Sequence, residues 1–338
     1  CLNELIQMGF DLDSVLDMPL GYSQSDGTPQ VKDLLTAIYP GAAHANIEVT
    51  NGTSEANYLI ALSQIQPGDE VAFQIPNYMQ LFGVSKSLGA TVNTFGLQSE
   101  NHWETDWDAF EAAVNPNTRL AYLSNPNNPT GAVLSPAAMH RIVERCEEMD
   151  CFLIADEVYI GAEHGDRRTP SFWGMSDRVI VTSGLSKAYG IPGLRVGWIV
   201  GPPTLVAQCW SQHDYLTIGP NKLSDRLTRV AIDEKNRARL YARTRAILEE
   251  NRPLLEAWVK EVPQVCYHPS PVGAFTLLKL NTDTPDVDIV KSCINEQSTL
   301  MVPGAHFGAP GYLRVWFGGR PDYILEGLRR IKAALRHY

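Results

Sequence analysis

Four short stretches hold residues whose types and order suggest chemistry. In CFLIADEVY, the apolar residues Phe152 to Ala155 read as a buried strand, and Asp156 and Glu157 arrive at its carboxyl end, where α/β sheets place ligands. Two readings stand for Asp156: it caps a turn or pairs with a local cation, or it keeps a heterocyclic nitrogen protonated, with Tyr159 bringing a phenol to the same ligand. In SGLSKAYGIPGLRVGW, the strand RVIVTSG gives way to small residues before Lys187, and Arg195 follows eight positions later. A lone lysine is ordinarily a solvated tip. One set just past a buried strand, among Ser183, Ser186 and glycines, has its proton affinity lowered by desolvation and nearby positive charge, which suits Schiff-base chemistry. EVTNGTSEANYL puts Asn51, Gly52, Thr53 and Ser54 directly before a helix, where free N–H groups, hydroxyls and the helix dipole make either a plain N-cap with Glu55 or a phosphate cradle. NPNNPTG, at Asn125 to Gly131, is turn chemistry by composition, yet it follows the strand-like TRLAYLS and so lies at another carboxyl end.

The elements that must position these groups alternate along the chain. A helical pattern at Glu55 to Gln64 precedes the short apolar run EVAFQIP, and a second helical stretch covers Met79 to Leu88. TVNTFGL, TRLAYLS, the helix-like AAMHRIVERCEEMD, CFLIAD and RVIVTSG continue the alternation, which predicts an α/β fold: a mostly parallel sheet of the seven-stranded type, flanked by helices. After Pro220, Leu223 to Val262 has helical composition with an interruption near Pro253. From Cys266 onward GAFTLLKL, a helix at Asp288 to Glu296, LMVP, YLRVWFG and a closing helix predict a smaller α+β domain. The expected division is a large domain over 20–240 and a small domain built from 1–19 and 241–338.

The 338 residues are 44% hydrophobic, enough for an enzyme core, and 38 acidic against 28 basic residues give a net charge of −10, which argues against a nucleic-acid partner. No apolar run approaches the roughly 18 residues needed to span a bilayer, so a membrane partner is not expected. The opening stretch has no cationic region leading into a hydrophobic one, so no targeting signal is expected. Six scattered cysteines form no C-x-x-C pair, which predicts reduced thiols in a cytoplasmic protein and no metal site. His164, in GAEHGD, reads as a loop residue.

Taken together and in this order, cradle, aromatic, NPNNPTG, D-E-V-Y, S-K and G-L-R-V-G resemble the class I/II aminotransferases, pyridoxal-phosphate enzymes of fold type I, over nearly the whole chain. The resemblance implies pyridoxal 5'-phosphate as cofactor, with an amino acid and a 2-oxo acid as substrates. It implies that Lys187 forms the internal aldimine and shuttles the proton, and that Asp156 pairs with the pyridinium nitrogen. Tyr159 and Asn128 match the groups that hydrogen-bond the phenolic oxygen. Arg195, Thr53, Ser54 and Ser186 match positions that hold the phosphate, and Tyr78 matches the aromatic that stacks on the ring. Tyr22, five residues before Gly27, matches a tyrosine that reaches the neighbouring subunit's phosphate, which implies a homodimer with shared sites. Arg314 in YLRVWFG resembles the arginine that grips the substrate α-carboxylate, with Arg320 the near competitor, and Asn128 is also expected among the substrate-binding residues.

The sequence departs from the family in three places. Gly184 stands three residues before the lysine, where many members carry Ser or Thr, so Ser183 or Ser186 must supply a hydroxyl. Lys32 replaces a common arginine and reads as structural, and the family's longer N-terminal arm is missing or trimmed. The alternatives are another reaction of the same cofactor, by a β-lyase, a decarboxylase or a cyclising enzyme of the capreomycidine-synthase kind, and an aminotransferase-like sensor domain of a transcription regulator.

Overall fold

Buried runs of β-branched and aliphatic residues become the strands of a large sheet because both of its faces are covered by helices. The computed structural model describes residues 1–165 and 168–338. Its eight strands are β1 (Ile47–Thr50), β2 (Glu70–Ile75), β3 (Thr91–Gln98), β4 (Glu104–Thr105), β5 (Thr118–Ser124), β6 (Phe152–Asp156), β7 (Val179–Gly184) and β8 (Gly197–Val200), in the order β1-β8-β7-β6-β5-β2-β3-β4. The inner pairs β7–β6, β6–β5, β5–β2 and β2–β3 are parallel; β1–β8, β8–β7 and β3–β4 are antiparallel. The mostly parallel α/β sheet is thus as expected, with the two-residue β4 added at one edge.

The second sheet is antiparallel, with β9 (Val265–Tyr267), β10 (Phe275–Leu280), β11 (Val302–Pro303) and β12 (Tyr312–Trp316) in the order β11-β12-β10-β9. Its core takes Leu278, Leu313 and Val315 from the sheet, with Ile289 and Leu328 from the helices Asp286–Gln297 and Pro321–Leu335. One helix, Glu234–Lys260, joins the two cores: Leu240 is buried with the large sheet, and Leu248, Leu255 and Trp258 with the small one.

Two expectations need correction. The helical break near Pro253 is absent. The helix runs through it, and the break falls at Asp233, whose carboxylate caps Lys235 N and Asn236 N. Proline removes one ladder bond, but burial of Leu248 and Leu255, with Asn251 Nδ2 donating to the carbonyls of Phe317 at 2.8 Å and Gly319 at 2.7 Å, keeps the helix in place. The opening residues also differ from expectation. Leu5 and Phe10 are buried in the core of the large sheet, and Asn236 Nδ2 donates to Met8 O at 3.0 Å, because the opening helix Leu2–Gln7 lies against the helix Lys222–Ile232 and carries the residues after it to the same side. Among the described residues no helix is long and apolar enough to cross a membrane, and no cluster of three His, Cys, Asp or Glu is placed to hold a metal.

Candidate active site

Parallel strands end on the same side of a sheet, so the register carries distant motifs to one place. Ser124 of β5 stands beside Asp156 of β6, and Asp156 beside Thr182 of β7. The chain then leaves β7, passes Ser186 and Lys187, and returns through Arg195 into the antiparallel β8, so both cations lie at that same end. A cavity of about 220 Å³ opens there, lined by Thr53, Ser54, Tyr78, Asn128, Asp156 and Tyr159 together with Ser186, Lys187 and Arg195.

Asp156 is buried, and no cation pairs with it among the described residues. Oδ1 accepts from Val158 N at 3.1 Å, and Oδ2 accepts from Tyr122 Oη at 3.3 Å and Asn57 Nδ2 at 3.4 Å. The Thr182 hydroxyl donates to Asn57 Oδ1 at 3.0 Å, which turns the Asn57 amide nitrogen toward the carboxylate. Burial raises the proton affinity of Asp156, against the Val158 N–H, Asn57, Tyr122 and the charge of Lys187. Lys187 is shifted in the opposite sense: burial lowers its proton affinity, and the charges of Arg314 and Arg195 lower it further against the pull of Asp156. Burial pushes the Tyr159 phenol up to about 12, opposed by Arg314. Glu157 turns away from the cavity, accepting from Phe172 N at 2.6 Å and Ser171 Oγ at 2.7 Å.

The helix Thr53–Gln64 begins at Gly52, whose φ is 96°, with no side chain capping its first N–H groups. Glu55 does not cap it either; its Oε2 accepts from Asn51 N at 2.5 Å. Glycine is required around this start: a Cβ on Gly197 would lie 2.4 Å from Thr53 N, and one on Gly184 would lie 2.7 Å from Val196 O and 2.8 Å from Thr53 Oγ1. That contact accounts for glycine three residues before the lysine. In NPNNPTG, Asn127 builds the turn, donating to Gln74 Oε1 and Pro76 O at 3.0 Å and accepting from Thr130 Oγ1 at 2.7 Å, and this leaves Asn128 to face the cavity.

Of the two serines, Ser186 lines the cavity, whereas Ser183 Oγ donates to Glu157 O at 3.4 Å. Arg314 is half-buried, its guanidinium 4.4 Å from the Phe275 ring centre, with Nε buried and lacking a partner among the described residues. Arg320 instead lies on the surface in a pair with Asp322. Tyr22 is outside the cavity and 82% exposed. His164 ties its loop to the small sheet through Gly273 O at 3.0 Å, and Lys32 pairs with Asp26. Asn57 and Tyr122 escape a reading by motif; a polar residue inside the apolar run ANYLIAL is the one signal for Asn57.

Pyridoxal phosphate fits this donor set. Thr53 Oγ1 and Asn128 Oδ1 are buried without partners among the described residues, and both residues line the cavity. The unpaired carboxylate of Asp156 suits a protonated ring nitrogen.

The architecture is that of fold type I. A profile for aminotransferase class I and II matches residues 18–331. Capreomycidine synthase of Streptomyces vinaceus is 31% identical over 299 residues, which cover 88% of this chain and 76% of that protein. An aspartate aminotransferase of Streptomyces avermitilis is 27% identical, covering 93% of this chain and 81% of its own. The crystal structure of a PLP-dependent aminotransferase from Streptococcus suis superposes with a TM-score of 0.92 at 31% identity, covering 100% of this chain and 91% of its own. The chain therefore belongs to the class I and II aminotransferase family, and it is a pyridoxal-phosphate-dependent enzyme that moves an amino group between an amino acid and a 2-oxo acid.

Proposed function

We propose that Lys187, Asp156 and Tyr159 do the chemistry, that Thr53, Ser54, Ser186 and Arg195 hold the cofactor phosphate, and that Arg314 holds the substrate carboxylate. The observation that carries this reading is the single cavity shared by a lysine whose proton affinity is lowered, a buried unpaired carboxylate and an uncapped helix start. The cofactor, when bound, supplies the electron sink for charge developing at the substrate Cα. Lys187 Nζ, its proton affinity lowered, is the base that takes the Cα proton and returns it on the far side of the transfer. Asp156, oriented by Asn57 and Tyr122, would hold a proton on the ring nitrogen. Asn128 and Tyr159 would bind the phenolic oxygen of the cofactor, Tyr78 would cover its ring, and Asn128 would also face the substrate. The half-buried guanidinium of Arg314 suits a carboxylate because its two parallel N–H bonds fix the orientation of the Cα bonds.

The unit is a homodimer in this reading, with Tyr22 completing the neighbouring site. Leu20, Tyr22 and Tyr215 are exposed, and their segments are joined by Lys222 Nζ donating to Pro19 O and Trp210 Nε1 donating to Ser25 Oγ, both at 2.9 Å, so apolar side chains of two linked segments are available to a second copy. The two cores act as two domains meeting near residue 240. A cytoplasmic setting suits the buried thiols of Cys146, Cys151, Cys209 and Cys293.

The test is the half-reaction. Purified yellow protein is mixed with each of the twenty amino acids, and absorbance follows conversion of the cofactor to its amine form. Borohydride should fix the cofactor on Lys187, and labelling elsewhere overturns the assignment. A second reading, a lyase, decarboxylase or cyclising reaction on the same site, draws on the 31% identity to capreomycidine synthase; an amino acid consumed without leaving its 2-oxo acid would favour it.

A further inference from the structure

Behind the uncapped helix start lies a group of charged side chains that the proposed chemistry does not use. His213, fully buried, ends the helix Pro203–His213. Its Nδ1 meets Glu48 Oε1 of β1 at 2.6 Å, and its Nε2 faces Thr217 Oγ1 at 3.0 Å and Glu55 Oε2 at 3.2 Å. Neighbours fix the proton positions. The Thr217 hydroxyl donates to Glu55 Oε1 at 2.7 Å, so its oxygen offers Nε2 only lone pairs. Nε2 therefore carries a hydrogen, and Nδ1 shares one with Glu48.

Burial opposes the imidazolium, but hydrogen bonds to Glu48 and Glu55 outweigh it and push His213 up to about 9. Burial raises Glu48 to about 7 against the pull of His213, and its Oε2 is buried without a partner among the described residues. Glu55 is brought down to about 2, since bonds from His213, Asn51 N and Thr217 overcome its burial. Lys32 and Asp26 act on Glu48 as further charges, and Cys209, one turn earlier on the helix, is held protonated by burial, its thiol pushed up to about 12.

The group reaches the helix start through one residue. Glu55 Oε2 accepts from Asn51 N at 2.5 Å and from Asn51 Nδ2 at 3.2 Å, and the same amide donates to Thr217 Oγ1 at 2.9 Å and Gly219 O at 3.2 Å. The Asn51 carbonyl accepts from Arg195 Nη2 at 3.4 Å. Glu55 thus fixes the backbone that leads into Gly52 and Thr53, and His213 fixes Glu55.

We propose that His213, with Glu48 and Glu55, is a positioning residue for the cofactor phosphate: its imidazolium holds Glu55 against Asn51 and so keeps the helix start and Arg195 in their binding arrangement. The proposal rests on the reading of Thr53, Ser54, Ser186 and Arg195 as the phosphate site. A histidine whose folded value lies above its ordinary one makes its full contribution below that ordinary value and loses it as pH rises through the folded value, here about 9. Cofactor release therefore accelerates as pH passes that point.

The experiment follows release of pyridoxal phosphate from purified holoenzyme, by the decay of its bound absorbance after dilution, between about pH 6 and 10.5. His213→Gln keeps an N–H for Thr217 and Glu55 but loses the charge; release should quicken about tenfold or more at neutral pH, and the alkaline rise should vanish. Glu48→Gln removes the charge that supports the imidazolium and should move the rise down by about 1–2 pH units; it decides the matter if His213→Gln does not fold. Arg195→Ala separates two failures. If it leaves release unchanged, the phosphate-site reading falls and the proposal with it. If it speeds release while folded His213→Gln and Glu48→Gln keep the wild-type pH profile, even with lowered melting temperatures, the network is merely structural and the proposal alone is overturned.

Discussion

Gly197 is the tightest test of the phosphate-site reading that needs no change to a polar side chain. It opens β8 opposite Thr50 of β1 and Gly184 of β7, and an added Cβ would meet Thr53 N at 2.4 Å and the Gly52 carbonyl carbon at 2.5 Å. Both are backbone atoms that no rotamer change can move aside, so reaching ordinary contact displaces the start of the helix by about 1 Å. Two costs follow. Overpacking destabilises the apoprotein by about 1–3 kcal/mol. An N–H moved that far from a charged phosphate gives up a bond worth about 1.5–3 kcal/mol, which is roughly 10–150-fold in cofactor affinity. Gly201→Ala serves as control, because its Cβ would meet Ile180 Cγ2 no closer than 3.5 Å, an ordinary van der Waals contact. Absorbance titration of apoprotein with pyridoxal phosphate, beside thermal melts, reads both costs. A folded Gly197→Ala protein that binds cofactor as tightly as wild type would refute the reasoning.

Other outcomes follow from the same geometry. Arg314→Ala should raise substrate KM by roughly 10–150-fold, the loss of a charged hydrogen-bonding partner, whereas Arg320→Ala, on the surface with Asp322, should change KM by less than about twofold; equal effects would return the two arginines to open competition. Mixed Lys187→Ala and Tyr22→Phe chains, once shown to exchange subunits, should regain activity at one site per heterodimer, and sedimentation as a fully active monomer would end the shared-site idea. Burial raises Glu157 to about 8, so the folded state holds a proton that the unfolded chain gives up near its ordinary value. Apoprotein stability should therefore fall as pH climbs from about 4.5 toward 8, and Glu157→Gln, which keeps an acceptor for Phe172 N, should flatten that slope in pH-dependent melts.

Much of this arrangement was legible in the sequence because it lies at strand ends. Apolar runs such as FLIA and VIVT announce buried parallel strands, and whatever polar residue follows each of them must reach the ligand edge. IEVT and GWIV were overlooked as strands since each adjoins residues that read as a binding loop, and four residues give little periodicity. Asn57 and Tyr122 stayed hidden for a different reason. They meet Asp156 across 99 and 34 positions of chain, and only strand pairing and helix packing bring them together. The core that covers Leu5 and Phe10 is not legible in residues 1–19, because so short an opening segment carries no mark of which neighbour will cover it. Pro253 misled because a local rule yields to side chains buried on both sides of it.

The helix Glu234–Lys260 is the one covalent passage from the first core to the second, and it is a rod rather than a tether. Torque applied to the small sheet is delivered to the large one through a stiff beam anchored at Leu240 and Leu248. Any opening of the cleft above Lys187 must then flex that beam or roll side chains along its flank. Pro253, where one rung of the hydrogen-bonded ladder is missing, lies beyond Leu248 among the contacts of the small core, so the stretch between the two anchors keeps its ladder whole.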